Sequence, residues 1–129
     1  FAGGTVVEVA SGASALALAL VLGKRFGFTK GMHAPHNVPL TLIGAAILWF
    51  GWFGFNAGSE LAADGVASLA FVNTLAAPVG AMVTWMIFEK IVHGKPTSVG
   101  GASGAVAGLV AITPSCAYLH QFGRYCSEL

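Results

Sequence analysis

Four apolar stretches, each about as long as a membrane-spanning helix, constrain the fold of this chain more than any other feature. They cover about residues 1–22, 38–58, 66–88 and 99–117, and a transmembrane helix needs about 20 mostly apolar residues. Apolar residues make up 56% of the chain and charged residues 9%, whereas roughly a quarter of the residues in a soluble domain are charged. The sequence therefore predicts an all-α membrane protein with four transmembrane helices.

The charged side chains gather between the apolar stretches and predict an orientation. The first loop carries Lys24, Arg25 and Lys30, and the third carries Lys90 and Lys95. The second loop carries the acidic residues Glu60 and Asp64. Because cytoplasmic loops are enriched in lysine and arginine, the first and third loops are predicted to be cytoplasmic and Ser59 to face the outside. A net charge of +1 without a basic stripe gives nucleic acid no electrostatic basis as a partner.

The second apolar stretch ends in a run of aromatic residues and glycines that leads to a hydroxyl. Trp52, Phe55 and Ser59 are three and then four residues apart, which places them on one helix face. An aromatic face attracts a cation through its quadrupole, and a hydroxyl oxygen accepts a hydrogen bond from an N–H donor. The spacing predicts either a small site for an ammonium-like ion or a packed aromatic face. Phe50 and Phe53 are expected to make packing or lipid contacts.

Glu8 lies inside the first apolar stretch, about 12 Å along a helix that starts at Phe1. Ionisable residues within a membrane helix are costly and usually face a pathway or a partner. In a pore, the carboxylate could stay charged and hold a cation, or become protonated and relay a proton. A carboxylate that reaches headgroups or water at the membrane interface is the alternative.

Glycines recur every fourth residue in the last apolar stretch, at Gly100, Gly104 and Gly108. Small residues at this spacing let helix backbones approach closely in lipid. We therefore expect this face to pack against a neighbouring helix.

Six motifs in this order resemble the ammonium transporters of the Amt/Mep/Rh family. They are Phe-Ala-Gly-Gly-Thr-Val-Val at 1–7, Pro-His-Asn-Val-Pro at 35–39, Gly-Trp-Phe-Gly-Phe-Asn-Ala-Gly-Ser at 51–59, Ala-Phe-Val-Asn-Thr at 70–74, Gly-Lys-Pro-Thr at 94–97 and Ser-Gly-Ala-Val-Ala-Gly-Leu-Val-Ala-Ile-Thr-Pro at 103–114. The resemblance runs from Phe1 to about Leu119, so residues 1–119 are expected to be part of an ammonium transporter domain. It implies four transmembrane helices, the fifth to the eighth, of an eleven-helix bundle in a homotrimer with one pore per protomer.

The resemblance also implies roles for individual residues. Phe55 matches one of two stacked phenylalanines that gate the pore, and Ser59 matches a serine that helps to bind ammonium at the outer vestibule. Trp52 matches a tryptophan that lines the pore. Thr113 matches a threonine near the pore, although a hydroxyl before Pro114 could instead repair the helix backbone at a proline break.

Two departures from the family pattern limit these expectations. Glu8 stands where most members have the first of two pore histidines and a subset has glutamate, so it fits a pore role but not a relay between two histidines. Four other histidines are not expected to substitute for the pore histidines of the family: His33, His36 and His93 lie in predicted cytoplasmic loops, and His120 lies beyond the matched region. The tail at 120–129 diverges from the family and suggests a frameshift or a clone boundary.

The function implied by the resemblance is transport of ammonium or ammonia through a multi-pass protein of the cell membrane, plasma or inner. One alternative is a sensor or transceptor that binds ammonium to regulate a partner. Another is a truncated fragment that does nothing alone. The further partners that we expect are membrane lipid and a regulatory protein of the PII type, and we expect no enzymatic activity, cofactor or metal site.

Overall fold

The computed structural model describes residues 1–28 and 34–119, and every regular element in these two ranges is helical. Four α-helices follow one another: α1 (Val9–Leu22), α2 (Val38–Asn56), α3 (Gly65–His93) and α4 (Ser98–Ile112). A π-helical turn, Gly4–Glu8, leads into α1, and a 3₁₀ turn, Ala57–Glu60, continues α2. The all-α prediction is thereby confirmed.

Side-chain caps define where three of the helices begin. The Asn37 side chain accepts a hydrogen bond from the Leu40 amide at 2.9 Å, and Asp64 accepts from the Ala67 amide at 2.9 Å. Thr97 caps α4 by accepting from the Gly100 amide at 3.0 Å. The first turn of a helix has amides without an intrahelical partner, and these side chains satisfy some of them.

Three helices are long and apolar enough to cross a membrane: Gly4–Leu22, Val38–Glu60 and Gly65–His93. These residues are therefore part of a multi-pass membrane protein. The fourth helix differs from the expected range of about 99–117, because α4 ends at Ile112 and turns follow. Pro114 has no amide hydrogen to donate, so it cannot continue the hydrogen bonding of the helix, although Thr113 before it keeps helical backbone angles.

The glycine face of α4 packs against α3. A Cβ atom added at Gly104 would lie 2.7 Å from the Trp85 Cβ atom and 3.0 Å from the Ala81 carbonyl oxygen. One added at Gly108 would lie 2.8 Å from the Pro78 Cα atom. The predicted packing role of these glycines is confirmed, because any larger residue would push the two backbones apart.

The N-terminal segment meets the other helices at the turn that follows α4. A Cβ atom at Gly4 would lie 2.5 Å from the Pro114 nitrogen, and the Phe1 ring meets the Tyr118 ring edge-on with centroids 6.1 Å apart. Beyond this contact, α1 buries none of its residues within this chain. Lys30, His33, His120 and the predicted divergent tail at 120–129 lie outside the described residues.

Candidate functional site

The aromatic face predicted on α2 is present. The rings of Trp52 and Phe55 meet edge-on, with centroids 5.6 Å apart and an interplanar angle of 61°. Trp52 is buried and Phe55 is half-buried. The 3₁₀ turn carries Ser59 onward from the same helix, and the Ser59 hydroxyl donates a hydrogen bond to the Phe55 carbonyl oxygen. The three residues therefore form one continuous strip along the end of α2.

A hydrogen bond joins this strip to the end of α4. The indole Nε1 of Trp52 donates to the Thr113 Oγ1 atom at 2.8 Å, and the Thr113 hydroxyl donates to the Leu109 carbonyl oxygen at 2.6 Å. Thr113 has no exposed surface and Trp52 is only 9% exposed. A buried indole N–H and hydroxyl thus satisfy each other, which fixes the Trp52 ring against the turn that contains Pro114.

The other aromatic residues of α2 make packing contacts or face outward. Phe53 stacks on Phe71 of α3 with ring centroids 4.3 Å apart, and Phe50 is 79% exposed. The Trp49 indole donates to the Thr74 carbonyl oxygen at 3.1 Å. The prediction that Phe50 and Phe53 make packing or lipid contacts fits these positions.

Glu8 is half-buried at the end of the π-helical turn that leads into α1. Its carboxylate has no hydrogen-bond or ion-pair partner among residues 1–28 and 34–119. Four residues before it, Gly4 contacts Pro114, the neighbour of Thr113. The fold therefore brings the segment of Glu8 to the end of α4, but no hydrogen bond joins Glu8 itself to Trp52, Phe55 or Ser59 within the described part of the chain.

Three buried polar residues near the strip have no predicted role. Asn56, Asn73 and Thr74 are all buried, and Asn56 Nδ2 donates to the Thr74 hydroxyl oxygen at 2.9 Å. The signal in the sequence was the presence of amide and hydroxyl side chains inside membrane-length apolar helices, where polar residues usually have a specific partner. The identity of that partner is visible only in the fold.

Replacing Trp52 with phenylalanine should lower the thermal stability of the full-length protein. The Thr113 oxygen would lose the hydrogen bond that it accepts from the indole but would still donate to the Leu109 carbonyl oxygen, and the loss of one such bond costs about 0.5 to 1.5 kcal/mol. Trp85 is 45% exposed and its indole has no hydrogen-bond partner among the residues described here, so Trp85→Phe is the control. Thermal unfolding of the two purified variants should show the larger loss for Trp52→Phe, and equal losses would contradict the prediction.

Comparisons with known proteins place the chain among transporters. A family model described as Ammonium Transporter Family matches residues 1–124, which runs past Leu119 into the segment predicted to diverge. The ammonium transporter of Mycobacterium bovis is 54% identical over 123 residues, which cover 95% of this chain and 26% of that protein. The ammonium transporter Amt1 of Archaeoglobus fulgidus is 55% identical over 123 residues, which cover 95% of this chain and 31% of that protein.

A solved structure is similar as well. The crystal structure of Mep2 from Saccharomyces cerevisiae matches with a TM-score of 0.84 and 40% sequence identity, covering 92% of this chain and 28% of that one. The chain therefore spans about a quarter to a third of the length of the relatives that it matches. Because the family model covers nearly every residue, the chain belongs to the ammonium transporter family.

Proposed function

We propose that the protein to which this chain belongs moves ammonium or ammonia across a cell membrane, and that the strip of Trp52, Phe55 and Ser59 lines its path. In this proposal, Ser59 accepts a hydrogen bond from the ion, Phe55 narrows the path behind it, and Trp52 lines the pore. Glu8 meets the permeating species further in, and Thr113 supports the Trp52 ring. Relatives that carry the name ammonium transporter, at about half sequence identity, support the choice of substrate.

The observation that carries the proposal is the hydrogen bonding of Ser59. Because its hydroxyl proton is donated to the Phe55 carbonyl oxygen, the Ser59 oxygen is left to act as an acceptor. An acceptor on the same helix strip as two aromatic rings suits a cation with N–H donors, such as ammonium. It suits an anion poorly, because an anion would need the donated proton.

The remaining partners follow from the family resemblance. We propose a homotrimer with one pore per protomer, and a regulatory protein of the PII type as a cytoplasmic partner. A sensor that binds ammonium without moving it would share the same strip. Measurement of transport separates the sensor from the transporter.

The first test is ammonium transport by the full-length protein in liposomes, comparing wild type with Ser59→Ala. Loss of a hydrogen bond to a charged group should raise the KM for ammonium about tenfold or more. Ser68→Ala is the matched control, because the Ser68 hydroxyl also donates to the carbonyl four residues earlier, at 3.0 Å from the Asp64 oxygen, but it lies at the start of α3 and is exposed.

We expect an ammonium-dependent current above that of empty liposomes. Of the two variants, only Ser59→Ala should have a raised KM. A correctly assembled wild-type protein that gives neither a current nor ammonium uptake above that of empty liposomes would contradict transport. An unchanged KM in Ser59→Ala would show that Ser59 is not part of the ion-binding site.

A further inference from the structure

Asn73 of α3 holds the turn that follows α4. It is 6% exposed, and its Nδ2 atom donates to two backbone carbonyl oxygens, those of Cys116 at 2.8 Å and Leu119 at 2.7 Å. Both carbonyls lie beyond the end of α4, where no further helical turn supplies donors, and a backbone carbonyl needs a partner when it is buried. Cys116 is fully buried, so Asn73 supplies a donor that water cannot easily replace.

Thr74, the next residue of α3, accepts two hydrogen bonds from α2. Its hydroxyl donates to the Ala70 carbonyl oxygen at 2.6 Å, so the same oxygen must accept from Asn56 Nδ2, which lies 2.9 Å away. The Thr74 carbonyl oxygen accepts from Trp49 Nε1 at 3.1 Å. Asn56 follows Phe55 directly, and Trp49 lies one helical turn before Trp52. Thr74 therefore bonds to α2 on both sides of the segment that carries Trp52 and Phe55.

One turn of α3 thus contacts both parts of the candidate site. Consecutive side chains on an α-helix point about 100° apart, so neighbouring residues can contact two different elements. Asn73 contacts the turn that contains Thr113 and Pro114, and Thr74 contacts α2. The Trp52–Thr113 hydrogen bond spans the same two elements.

We infer that Asn73 and Thr74 are positioning residues, which set the distance between the aromatic strip of α2 and the end of α4 through the Trp52–Thr113 pair. Neither residue touches the permeating species. The inference rests on the proposed function, since the arrangement that it describes is that of the proposed pore lining.

Four substitutions in the full-length protein test this role. Asn73→Leu removes the amide donor and keeps a side chain of similar volume. Thr74→Val removes the hydroxyl and keeps a side chain of the same shape. Thr74→Ser keeps the hydroxyl and should restore the wild-type behaviour. Thr84→Val is the matched control, because Thr84 lies on the same helix and its hydroxyl donates only to the Gly80 carbonyl oxygen at 2.8 Å in an exposed position.

The main measurement is the KM for ammonium relative to that for the larger methylammonium ion. Asn73→Leu and Thr74→Val should each change this ratio by about two- to tenfold, the range that corresponds to the loss of one buried hydrogen bond. Thr74→Ser and Thr84→Val should leave it within about twofold of wild type. A residue with a purely structural role would lower the amount of assembled protein and leave the ratio unchanged.

A double-mutant cycle tests whether Asn73 acts through Thr113. The effects of Asn73→Leu and Thr113→Val should be non-additive, both in the KM ratio and in the thermal unfolding midpoint, because coupled residues do not act independently. The unfolding cycle needs no transport, so it separates failure of this inference from failure of the proposed function.

Three outcomes would overturn the inference. One is a wild-type KM ratio in assembled Asn73→Leu and Thr74→Val, and the second is additivity in the unfolding cycle. The third is loss of assembled protein in both variants while Thr74→Ser and Thr84→Val assemble normally, since this would show that the pair acts on folding alone.

Discussion

Replacing Gly108 with alanine should destabilise the full-length protein by about 1 to 3 kcal/mol, the typical cost of overpacking a tight contact. The new Cβ atom would lie 2.7 Å from the Ala81 Cβ atom, 2.8 Å from the Pro78 Cα atom and 2.9 Å from the Ala77 carbonyl oxygen. Two of these three neighbours belong to the backbone of α3 and cannot rotate away. Helix α4 would therefore have to move away from α3, and with it the turn that contains Thr113.

Gly101→Ala is the matched control for this prediction, because it makes the same change on the same helix. Its Cβ atom would meet the Met86 sulfur at 3.4 Å and the Met82 Cγ atom at 3.7 Å, which are ordinary contacts with flexible side chains. Alanine is favoured over glycine inside a helix by about 1 kcal/mol, so Gly101→Ala should be neutral or stabilising. Thermal unfolding and the yield of monodisperse protein should separate the two variants, and equal behaviour would show that the α3–α4 contact tolerates an added methyl group.

Replacing Glu8 with glutamine should lower the ammonium current of the full-length protein about tenfold or more while leaving its assembly intact. A carboxylate and a cation about 4 Å apart attract each other by about 4 kcal/mol at an effective dielectric constant of 20. Loss of a third of that energy already corresponds to about a tenfold change in the binding constant for the cation. Since Glu8 is half-buried and its carboxylate has no partner in the described part of the chain, the substitution breaks no contact that the fold requires there.

The kinetic change in Glu8→Gln distinguishes the two roles that the sequence leaves open. A raised KM would indicate a charged carboxylate that holds the cation, whereas a lowered maximal rate at unchanged KM would indicate a group that relays a proton. Glu60→Gln removes the same charge at the end of the 3₁₀ turn between α2 and α3 and serves as the control. A wild-type current in Glu8→Gln would mean that Glu8 is an interfacial carboxylate with no part in conduction.

Several features of this chain could be predicted from the sequence because they depend on local pattern. A membrane has no water to bond to exposed backbone groups, so long apolar stretches must be helical, and α2 and α3 begin close to the expected residues. The spacing of Gly100, Gly104 and Gly108 predicted a close helix contact, and the spacing of Trp52, Phe55 and Ser59 predicted a common face. Each of these inferences needs only the period of a helix and the size or polarity of its side chains.

Contacts between distant residues could not be predicted in this way. Trp52 and Thr113 are 61 positions apart, and Asn73 and Cys116 are 43 apart. Whether an indole and a hydroxyl meet depends on how two helices are rotated and crossed, and local periodicity carries no information on either. The end of α4 at Ile112 is an intermediate case, because Pro114 indicates a break but the apolar run continues beyond it.

The sequence by itself determined the class of protein, the approximate helices and the residues of the aromatic strip, because hydrophobic length and helical spacing are properties of short segments. Only the tertiary structure decided that Thr113 bonds to Trp52, that Asn73 and Thr74 connect two helices through one turn of α3, and that Gly4 packs against Pro114. The physical reason is that a buried polar group in lipid is costly without a partner, and the packing of the helices decides which donors and acceptors come within about 3 Å of each other.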